Sequence, residues 1–392
     1  MSDQMQKQYD VLIVGAGPAG TLAALKLSKF GYKVRVIDIL KATKRKVCGE
    51  YLCPKGVELL RSEGLAPHFE SRFLPLYGME IFSPHGLQVK THFPGFEAGT
   101  QGWALNREVF DRELQNLATD AGAEIAFDEQ FESQKEAGGF VCVKTNKATY
   151  RVRVLIGADG RKSAVAQSMG VELHAPTKRV AIHAYLPVRE TIRTGEMHLF
   201  KDGSYIGVDP TAKDELNISL VCDGEKIREH GGMFETFTHY IRESKNLYTR
   251  LGDLPKSTEL WAVSPIHHQV KHQAKGSVAL IGDAAGFIDP RTGEGIYNAM
   301  LSAQLVSNAL MNARALSSSA INLGLQNYQW AHQKNLASKS RLNRMFQWLI
   351  RQPRLLEVIA RFLIGKQKRA DAFVGIIGNV YTPARGFLQM LL

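Results

Sequence analysis

The chain contains a glycine-rich turn, GAGPAG at residues 15–20, set between an apolar strand and an apolar helix. The segment YDVLIVGAGPAGTLAALKLSKFGYKVRVID predicts a buried strand, a helix over residues 19–30 and a second strand over residues 33–37. A strand, a helix and a strand in this order require a parallel sheet with the helix packed on its face. The turn therefore predicts an α/β domain at the start of the chain.

The glycines of this turn have the spacing that a dinucleotide requires. Gly15 permits the tight turn, Gly17 lets a pyrophosphate approach the backbone, and Gly20 allows close packing of the helix on the strand. The helix N-terminus offers N–H groups to the phosphates, and Asp38 can accept a hydrogen bond from a ribose hydroxyl. The predicted contacts are Gly15, Gly17, Pro18, Ala19, Gly20 and Asp38. At this point NAD and FAD both remain open.

The rest of the chain alternates between α/β and β patterns. Residues 76–93 predict a hairpin around a Ser-Pro-His-Gly turn, and residues 173–270 are mostly strand-like, with helical spacing near residues 233–245. After about Gly295 the pattern is helical. We expect an α/β fold with a doubly wound parallel-sheet domain, an inserted antiparallel β-sheet domain and C-terminal helices. The predicted bounds are 1–75, 100–172 and 271–330 for the nucleotide-binding domain, 76–99 and 173–270 for the substrate domain, and 331–392 for the helical region.

The residues at the ends of two later strands distinguish between NAD and FAD. LIGADGRKSAV places Asp159 at one strand end, and VALIGDAAGFIDPRTGEGI places Gly282 and Asp283 at another, so that all reach the ligand-binding edge of the sheet. Asp283 suits the hydroxyls of a ribityl chain, which FAD has and NAD lacks. After Pro290, residues 293–295 start a helix whose amides can face the N1–C2=O edge of an isoalloxazine. FAD is therefore the predicted cofactor.

Together these motifs resemble those of the FAD-dependent oxidoreductases of the aromatic-hydroxylase superfamily, and most closely its geranylgeranyl-reductase-like branch. The superfamily shares the G-x-G-x-x-G turn, a D-G segment, and a G-D segment followed by proline and a glycine-rich helix start. The resemblance covers roughly residues 9–310. It implies that Arg107, in ALNREVFDREL, contacts the flavin nucleotide; an arginine on the helix surface is the alternative. It also implies cofactor contacts at Asp159, Gly282, Asp283, Pro290, Gly293, Gly295 and Ile296.

The branch is indicated by two short segments. Gly286 stands where ordinary aromatic hydroxylases have the histidine of G-D-A-A-H, and KVCGEYLCP carries the Cys-Gly pair of the reductase branch. In such a fold this stretch runs beside the isoalloxazine, which makes Cys48 and Gly49 cofactor contacts in an active-site wall. A Cys48–Cys53 disulfide is disfavoured in a reducing cytosol, and a reactive Cys48 would need a lowered pKa. A small packing residue is the more common alternative.

No metal site is predicted. Cys48 and Cys53 have no partner Cys or His pair nearby at a suitable spacing. His267, His268 and His272 are close in sequence, but in a strand-like segment they do not share one face. We therefore expect these histidines to lie on the surface.

Two departures from the family pattern bear on the substrate. After Ser163 the D-G segment continues as AVAQ, whereas relatives commonly continue through serine to an arginine, so recognition of NAD(P)H stays unassigned. In SYIGVDP, Tyr205 fits the reductases' Y-x-W-x-F-P, but Gly207 and Asp209 replace its other aromatic residues. A flavin halogenase is therefore disfavoured and a wider pocket is expected. A cross-strand packing role is the alternative for Tyr205.

Three functions are compatible with these residues. The first is reduction of carbon–carbon double bonds in a long apolar isoprenoid or lipid, with hydride supplied by NAD(P)H through FAD. The second is a monooxygenase that hydroxylates a phenolic or lipidic substrate. The third, a non-catalytic lipid-binding protein like the GDP-dissociation inhibitors, is disfavoured by the complete set of flavin motifs. Catalytic roles stay unassigned; Glu50 is the candidate proton donor, and Cys48 and Tyr205 are further candidates.

The net charge of +11 is concentrated near the C-terminal end. Between residues 334 and 385, eleven Lys and Arg residues face two acidic ones and are interleaved with apolar residues. This pattern favours either an anionic membrane surface or a helix that covers the protein's own core, and the interruption at Pro353 makes the second preferable. No nucleic-acid motif accompanies the charge. A polar N-terminus, four cysteines and no apolar run near about 20 residues indicate a cytoplasmic protein, with peripheral membrane contact as the alternative.

Overall fold

The structure is a computed structural model that describes residues 7–173, 178–188, 192–287, 293–313 and 316–391, with the backbone alone described over 336–343. Its strands are β1 Lys7–Val14, β2 Val34–Ile37, β3 Tyr51–Leu52, β4 Leu74–Leu76, β5 Met79–Phe82, β6 Gln88–Lys90, β7 Gly102–Ala104, β8 Glu124–Ala126, β9 Phe131–Ala137, β10 Phe140–Thr145, β11 Thr149–Gly157, β12 Glu172–Leu173, β13 Arg179–Pro187, β14 Gly195–Leu199, β15 Tyr205–Ala212, β16 Glu215–Asp223, β17 Trp261–Val263, β18 Gln269–Val270, β19 Ala274–Lys275 and β20 Val278–Leu280. Its helices are α1 Pro18–Lys29, α2 Pro54–Ser62, α3 Arg107–Asp120, α4 Ala164–Met169, α5 Gly224–Glu229, α6 Met233–Glu243, α7 Lys245–Leu251, α8 Gly295–Asn312, α9 Ser318–Ile350, α10 Pro353–Leu363, α11 Gln367–Ile377 and α12 Pro383–Leu391.

The first sheet has a parallel centre in the order β20-β11-β1-β2-β8. Val11, Leu12 and Ile13 of β1 are fully buried, because both faces of this sheet are covered. One face packs against α1, α3 and α8, and the other against α4, while β10 pairs antiparallel with the first half of β11 and β9 pairs with β10. The predicted α/β class with a doubly wound parallel sheet is confirmed.

The second sheet has the order β17-β13-β16-β15-β14-β5-β6 and is antiparallel except at β14–β5. The expected hairpin is present as β5–β6, with Glu80 opposite Lys90. One face packs against Phe237, Tyr240 and Ile241 of α6. The opposite face joins the core of the first domain and carries the polar wall of the candidate site described below.

The strands of each sheet come from separated stretches of sequence. Those of the first sheet lie within 1–75, 100–172 and 271–330, and those of the second within 76–99 and 173–270. The helix α9 runs without a break across residue 331, where the helical region was expected to begin. The chain therefore crosses between the two sheets several times, and the exact domain bounds stay predictions.

The C-terminal helices α10, α11 and α12 follow one another through short turns. The break between α9 and α10 coincides with Pro353, which stands in the first turn of α10, where a missing amide hydrogen costs nothing. In the part of the chain that the structure describes, no helix is both long and apolar enough to cross a bilayer. The inner sides of α10 and α11 pack against the second sheet and, with the end of α9, form one wall of a cavity.

Candidate active site

The GAGPAG turn forms a cradle for a phosphate group. A Cβ at Gly15 would lie 2.3 Å from the Ala158 carbonyl oxygen, and one at Gly20 would lie 1.9 Å from the Gly15 oxygen, so neither position admits a side chain. At Gly17 the nearest atom to such a Cβ is Lys46 Nζ at 3.8 Å, which leaves open space above the turn. The first turn of α1 has no side-chain cap and no acidic residue, so its amides are available to an anion.

Asp38 holds this turn in place. Its Oδ2 accepts a hydrogen bond from the amide of Ala16, and its Oδ1 accepts one from the amide of Leu40, both at 2.8 Å. Gln115 Nε2 donates to the Ala16 carbonyl oxygen, also at 2.8 Å. Each carboxylate oxygen keeps a lone pair, so Asp38 can also accept from a ribose hydroxyl beside the turn.

The D-G and G-D segments meet the turn at the same edge of the sheet. A Cβ at Gly282 would lie 2.9 Å from Ala19 Cβ, which brings the second segment against the start of α1. Asp283 Oδ2 lies 3.9 Å from Arg161 Nε, in the D-G segment. Burial raises the pKa of Asp283, and the Arg161 charge opposes this. Three motifs far apart in sequence thus surround one space.

Both carboxylate oxygens of Asp159 accept hydrogen bonds from residues just after the D-G segment. Its Oδ1 accepts from Ser163 Oγ at 2.6 Å, and its Oδ2 accepts from the amide of Val165 at 3.2 Å. Burial raises its pKa, and these hydrogen bonds oppose the rise. Its contribution to the site is therefore to shape the turn before α4.

The N-terminus of α8 faces the same space. Gly293 has φ +64°, and a Cβ there would lie 2.4 Å from Tyr51 Cδ1, so the turn packs tightly on that ring. Among the described residues, Glu294 stands at the N-cap of α8 without a side-chain cap hydrogen bond, the first turn from Gly295 onward has no acidic residue, and Ile296 is buried. Its amides can therefore stabilise an anion. Pro290, expected to contact the cofactor, lies outside the described residues.

Arg107 lies in the interior of the protein and not on the helix surface. Its Nε and Nη2 donate to the two carboxylate oxygens of Asp111, each at 3.0 Å, and Nη1 donates to Cys48 Sγ at 3.3 Å. Burial disfavours the charge, but the contacts with Asp111 and Cys48 together outweigh it and raise the pKa of Arg107. Lys46 Nζ lies 3.7 Å from Asp111 Oδ2, next to the open side of Gly17. Sequence reasoning did not identify Lys46 as a cofactor contact.

Cys48 is a thiol that points into this charged cluster. Besides the Arg107 contact, its Sγ accepts from the amide of Glu50 at 3.4 Å. Burial raises the pKa of the Cys48 thiol, and the Arg107 charge only partly opposes this. In the structure none of Cys48, Cys53, Cys142 and Cys222 forms a disulfide. Cys48 therefore lacks the lowered pKa of a reactive cysteine.

Glu50 is buried in a conformation that non-glycine residues rarely adopt. Its φ is +54°. Its Oε1 accepts a hydrogen bond from the amide of Arg107 at 2.9 Å, while Oε2 is buried with no hydrogen-bond partner among the described residues. Burial raises the pKa of Glu50 to about 7, although the Arg107 amide and the Arg45 charge oppose the rise. Backbone strain combined with an unpartnered buried oxygen is typical of functional sites.

Opposite Glu50 lies a polar wall, which we define as Arg45, His183, Tyr185, Glu215 and Asn217. The last four belong to β13 and β16 of the second sheet, and Arg45 belongs to the segment between β2 and β3. Arg45 Nη2 donates to Glu215 Oε1 at 2.6 Å, and its guanidinium lies 3.7 Å from the centre of the Tyr185 ring. Asn217 Nδ2 donates to the Cys48 carbonyl oxygen at 2.5 Å and its Oδ1 accepts from His183 Nδ1 at 3.2 Å. The polar wall is therefore hydrogen-bonded to the backbone at Cys48.

Two more polar atoms of this wall are buried without a hydrogen-bond partner in the described part of the chain. They are Tyr185 Oη, near the Glu50 carboxylate but outside hydrogen-bond geometry, and His183 Nε2. Burial lowers the pKa of His183 to about 4, so its ring is neutral at physiological pH. Buried polar atoms are normally paired, so these two and Glu50 Oε2 indicate a place where a ligand's polar atoms or water bind.

Tyr205 and Asp209 lie on the same face of the sheet. Tyr205 is buried in the core between Leu199 and Val221, its neighbours on the adjoining strands, and is not part of the polar wall. Asp209 lies opposite Asn217. Burial raises the pKa of Asp209 to about 8, with the charges of Glu196 and Glu50 adding to the effect.

The expectation for the histidines was wrong in one case. His268 is buried because its backbone pairs with Phe287 just after the G-D turn, and its Nε2 lies 3.2 Å from the Ala284 carbonyl oxygen. His272 is exposed, and His267 is half-buried. Among the described residues no three side chains of the metal-binding types are grouped closely enough to hold an ion.

An apolar cavity of about 60 Å³ lies on the same face of the second sheet as the polar wall, toward the edge formed by β5 and β6. It is bounded by β5, β6 and β14 on one side and by the end of α9, α10 and α11 on the other. Its lining residues are Ile81, Ser83, Val89, Met197, Leu199, Phe346, Leu349, Ile350, Leu356, Ile359, Ala360, Leu363, Phe373 and Ile377. Apart from Ser83 this lining is apolar, so the cavity suits a hydrocarbon group.

Known proteins share this sequence pattern and this fold. The chain matches the FAD binding domain family over residues 8–334. It is 30% identical to the digeranylgeranylglycerophospholipid reductase of Methanocella arvoryzae, over 79% of each chain. It is 26% identical to the menaquinone reductase of Mycolicibacterium smegmatis, over 96% of this chain and 93% of that protein.

Solved structures show the same architecture at lower identity. A geranylgeranyl bacteriochlorophyll reductase-like protein of Thermoplasma acidophilum superimposes with a TM-score of 0.77 at 21% identity, covering 98% of this chain and 99% of that one. PqsL of Pseudomonas aeruginosa in complex with 2-aminobenzoylacetate gives 0.77 at 18% identity, covering 89% and 98%. At such identities the likeness establishes the fold alone.

The chain belongs to the FAD binding domain family, within the FAD-dependent oxidoreductases of the aromatic-hydroxylase superfamily. It is an FAD-dependent oxidoreductase. The cradle at Gly17, the uncapped amides of α1 and α8, and the cations Lys46 and Arg107 fit the phosphates and ring of FAD. The reductase names among its relatives support the geranylgeranyl-reductase-like branch.

Proposed function

We propose that the protein reduces carbon–carbon double bonds of an apolar isoprenoid or lipid-like substrate with electrons from NAD(P)H. In the overall reaction NAD(P)H gives up a hydride and becomes NAD(P)⁺, and the alkene gains a hydride and a proton. Bound FAD supplies the hydride-transfer chemistry. The chain has to bind the apolar substrate, orient it and provide the proton.

The observation that carries the proposal is a row of residues that lie side by side on adjacent strands of the second sheet. Ile81 lies beside Met197 in the cavity lining, Met197 beside Gly207, Gly207 beside Ser219, and Ser219 beside His183 of the polar wall. With strands about 4.8 Å apart, Met197 and His183 are separated by about 14 Å.

The two residues in the middle of this row, Gly207 and Ser219, have small side chains or none. Gly207 has no side chain, and a Cβ built there would have no atom within 4 Å. Ser219 is small as well. The sheet therefore has a shallow floor between the apolar cavity and the polar wall, where an extended hydrocarbon can place one end beside Glu50.

Glu50 is the residue that we assign to proton supply. Its pKa is raised by burial to about 7, so a large fraction of the carboxyl group carries a proton near neutral pH. The Arg107 amide fixes Oε1 and leaves Oε2 without a partner among the described residues. A general acid with a pKa near the working pH is best suited to proton transfer.

Relatives named digeranylgeranylglycerophospholipid reductase and menaquinone reductase support an apolar substrate with an isoprenoid part. These names belong to proteins at 30% and 26% identity, so the particular lipid is part of the proposal. The replacement of aromatic residues by Gly207 and Asp209 in SYIGVDP fits a floor that accepts a bulky chain.

A two-step spectroscopic reaction tests this function. The bound FAD is reduced with NADH or NADPH without oxygen, and the sample is then mixed with a polyprenyl phospholipid or, separately, with oxygen. Reoxidation by the lipid alone, with a mass gain of two hydrogens per double bond, is the expected result. Product that carries an oxygen atom, formed only with oxygen present, would identify a monooxygenase instead and overturn the proposal.

A further inference from the structure

The helix α10 has two apolar sides, and only one of them is buried. Leu356, Ile359, Ala360 and Leu363 point inward and line the cavity. Leu355, Val358 and Phe362, spaced three and four residues apart, are exposed on the other side, with Val358 62% exposed. A helix that only covers a core has a polar outer side, so the exposed residues of α10 need a different explanation.

The helix α12 also exposes apolar side chains. Phe387, Leu388 and Leu391 lie within one arc of the helix and are all exposed, Leu388 by 57%. Met390 of α12 packs against the cluster that contains Ala360 and Leu363 of α10, so the two helices border the same core. We call the six exposed residues of α10 and α12 the outer face; they are Leu355, Val358, Phe362, Phe387, Leu388 and Leu391. Such a large group of exposed apolar side chains marks an interaction surface.

The charged side chains of residues 351–391 are mostly basic. Residues 351–391 contain seven basic side chains: Arg351, Arg354, Arg361, Lys366, Lys368, Arg369 and Arg385. The two acidic side chains of this stretch are turned to internal partners. Glu357 accepts from the amide of His85 at 2.8 Å, and Asp371 accepts from the amide of His92 at 2.7 Å. The outside of α10 therefore combines apolar residues with uncompensated positive charge.

We propose that the outer face docks on the surface of an anionic lipid bilayer. Apolar side chains that enter the headgroup boundary, flanked by Lys and Arg, are the pattern of a helix lying in a membrane interface. Trp348, at the end of α9 and 57% exposed, has the amphipathic ring that favours the same depth. The inference goes beyond the proposed reaction, because docking involves no substrate and no turnover.

Vesicle sedimentation with the full-length protein carrying its FAD tests the docking. The probes are vesicles of equimolar phosphatidylglycerol and phosphatidylcholine, and vesicles of phosphatidylcholine alone, at low and high salt. We expect binding to the anionic vesicles that weakens at high salt. Arg354→Gln with Arg361→Gln should lower the partition coefficient by about fivefold for each arginine removed.

The apolar part is tested by Val358→Asp combined with Leu388→Asp, which should lower the partition coefficient at least about tenfold. The matched control is Leu323→Asp, because Leu323 is 61% exposed on α9 yet lies about 40 Å along that helix from Ile350. This control should bind as the unchanged protein does. Far-UV circular dichroism and the melting temperature verify that each variant is folded.

Two results would overturn the inference. One is a failure of the unchanged protein to sediment with anionic vesicles at low salt. The other is lipid-free self-association, seen by analytical ultracentrifugation, that Val358→Asp with Leu388→Asp abolishes, since the outer face would then be the contact between two copies of the chain. Loss of reductase activity with intact vesicle binding would count against the proposed function and leave the docking unaffected.

Discussion

The backbone amide of Arg107 donates a hydrogen bond to Glu50 Oε1, so the first turn of α3 holds the one carboxyl group that we assign to proton supply. The same arginine's side chain pairs with Asp111 and contacts Cys48. One residue therefore joins the cofactor cradle to the acid through its backbone and its side chain. A change at Arg107 should affect both cofactor binding and the reaction.

Glu50→Gln should lower the rate of double-bond reduction by about 10²–10⁴-fold, because the amide cannot give up a proton to the substrate. In the unchanged protein the rate should fall as the pH rises through about 7, the pKa to which burial raises Glu50. The variant should lose this pH dependence. Glu58→Gln, in the exposed ion pair with Lys55, is the matched control and should leave the profile unchanged. An identical pH profile in Glu50→Gln would contradict the assignment.

The same group affects folding stability. Because burial raises the pKa of Glu50 from 4.5 to about 7, the folded state binds the proton more tightly than the unfolded chain. The resulting stabilisation is complete below pH 4.5 and is lost as the pH rises through about 7. Glu50→Gln cannot ionise, so between about pH 5 and pH 8 it should gain up to about 3 kcal/mol in unfolding free energy relative to the unchanged protein. Urea unfolding at a series of pH values measures this difference.

Gly17→Val should weaken FAD binding by at least about tenfold while the apoprotein stays folded. The Val side chain enters the open space above the turn, where the nearest atom to its Cβ is the flexible end of Lys46 at 3.8 Å. Gly15→Val is the contrasting variant, because its Cβ would meet the Ala158 oxygen at 2.3 Å and should unfold the turn. Fluorescence titration with FAD and thermal melts of the apoproteins separate the two effects. Equal FAD affinity in Gly17→Val would show that the phosphates bind elsewhere.

Arg107→Leu should destabilise the apoprotein by about 3–5 kcal/mol, because it leaves the buried Asp111 carboxylate without its main partner. Adding Asp111→Leu should restore much of this stability, since the unpaired charge is then removed as well. FAD affinity should stay low in both variants, because the cation is missing from each. Denaturant unfolding of the two variants tests the compensation, and a double variant no more stable than Arg107→Leu would refute it.

Ala360→Leu should reduce the apparent affinity for long polyprenyl substrates and leave a short prenyl alcohol almost unaffected. The larger side chain enters the apolar cavity of about 60 Å³ that α10 shares with β5 and β14. Because it fills existing space, the unfolding free energy should change by less than about 1.5 kcal/mol. Steady-state kinetics with the two chain lengths measure the selectivity. A uniform loss with both substrates would place the hydrocarbon outside this cavity.

The sequence predicted the cofactor cradle well because its residues follow a local rule. Gly15, Gly17, Asp38 and the G-D segment each stand at the end of a parallel strand, and such ends meet at one edge of the sheet. The hydrophobic runs that predict these strands are long and unambiguous. The convergence of these motifs could therefore be anticipated without knowing any side-chain contact.

The polar wall could not be predicted in this way. Glu215 is 170 residues from Arg45 in sequence, and Asn217 is 169 residues from Cys48. Alternation along β13 and β16 indicates which residues share a face, but not which face meets the first domain. His268 was misplaced for a related reason, because its burial results from backbone pairing with the distant Phe287, which its local sequence pattern does not indicate.

The helix α10 also has a bearing on how an apolar molecule could reach the cavity. A helix with its side chains is about 10–12 Å across, so a single layer of residues separates the cavity from the outer face. Each methylene group of a hydrocarbon transferred into water costs about 0.8 kcal/mol. A long hydrocarbon chain that moved from a docked bilayer into the cavity beneath α10 would exchange lipid neighbours for Leu356 and Ile359. It would not be exposed to water on the way, so this transfer cost would be avoided. The rate of uptake would then depend on how far α10 swings from the sheet, and hardly at all on the aqueous solubility of the substrate.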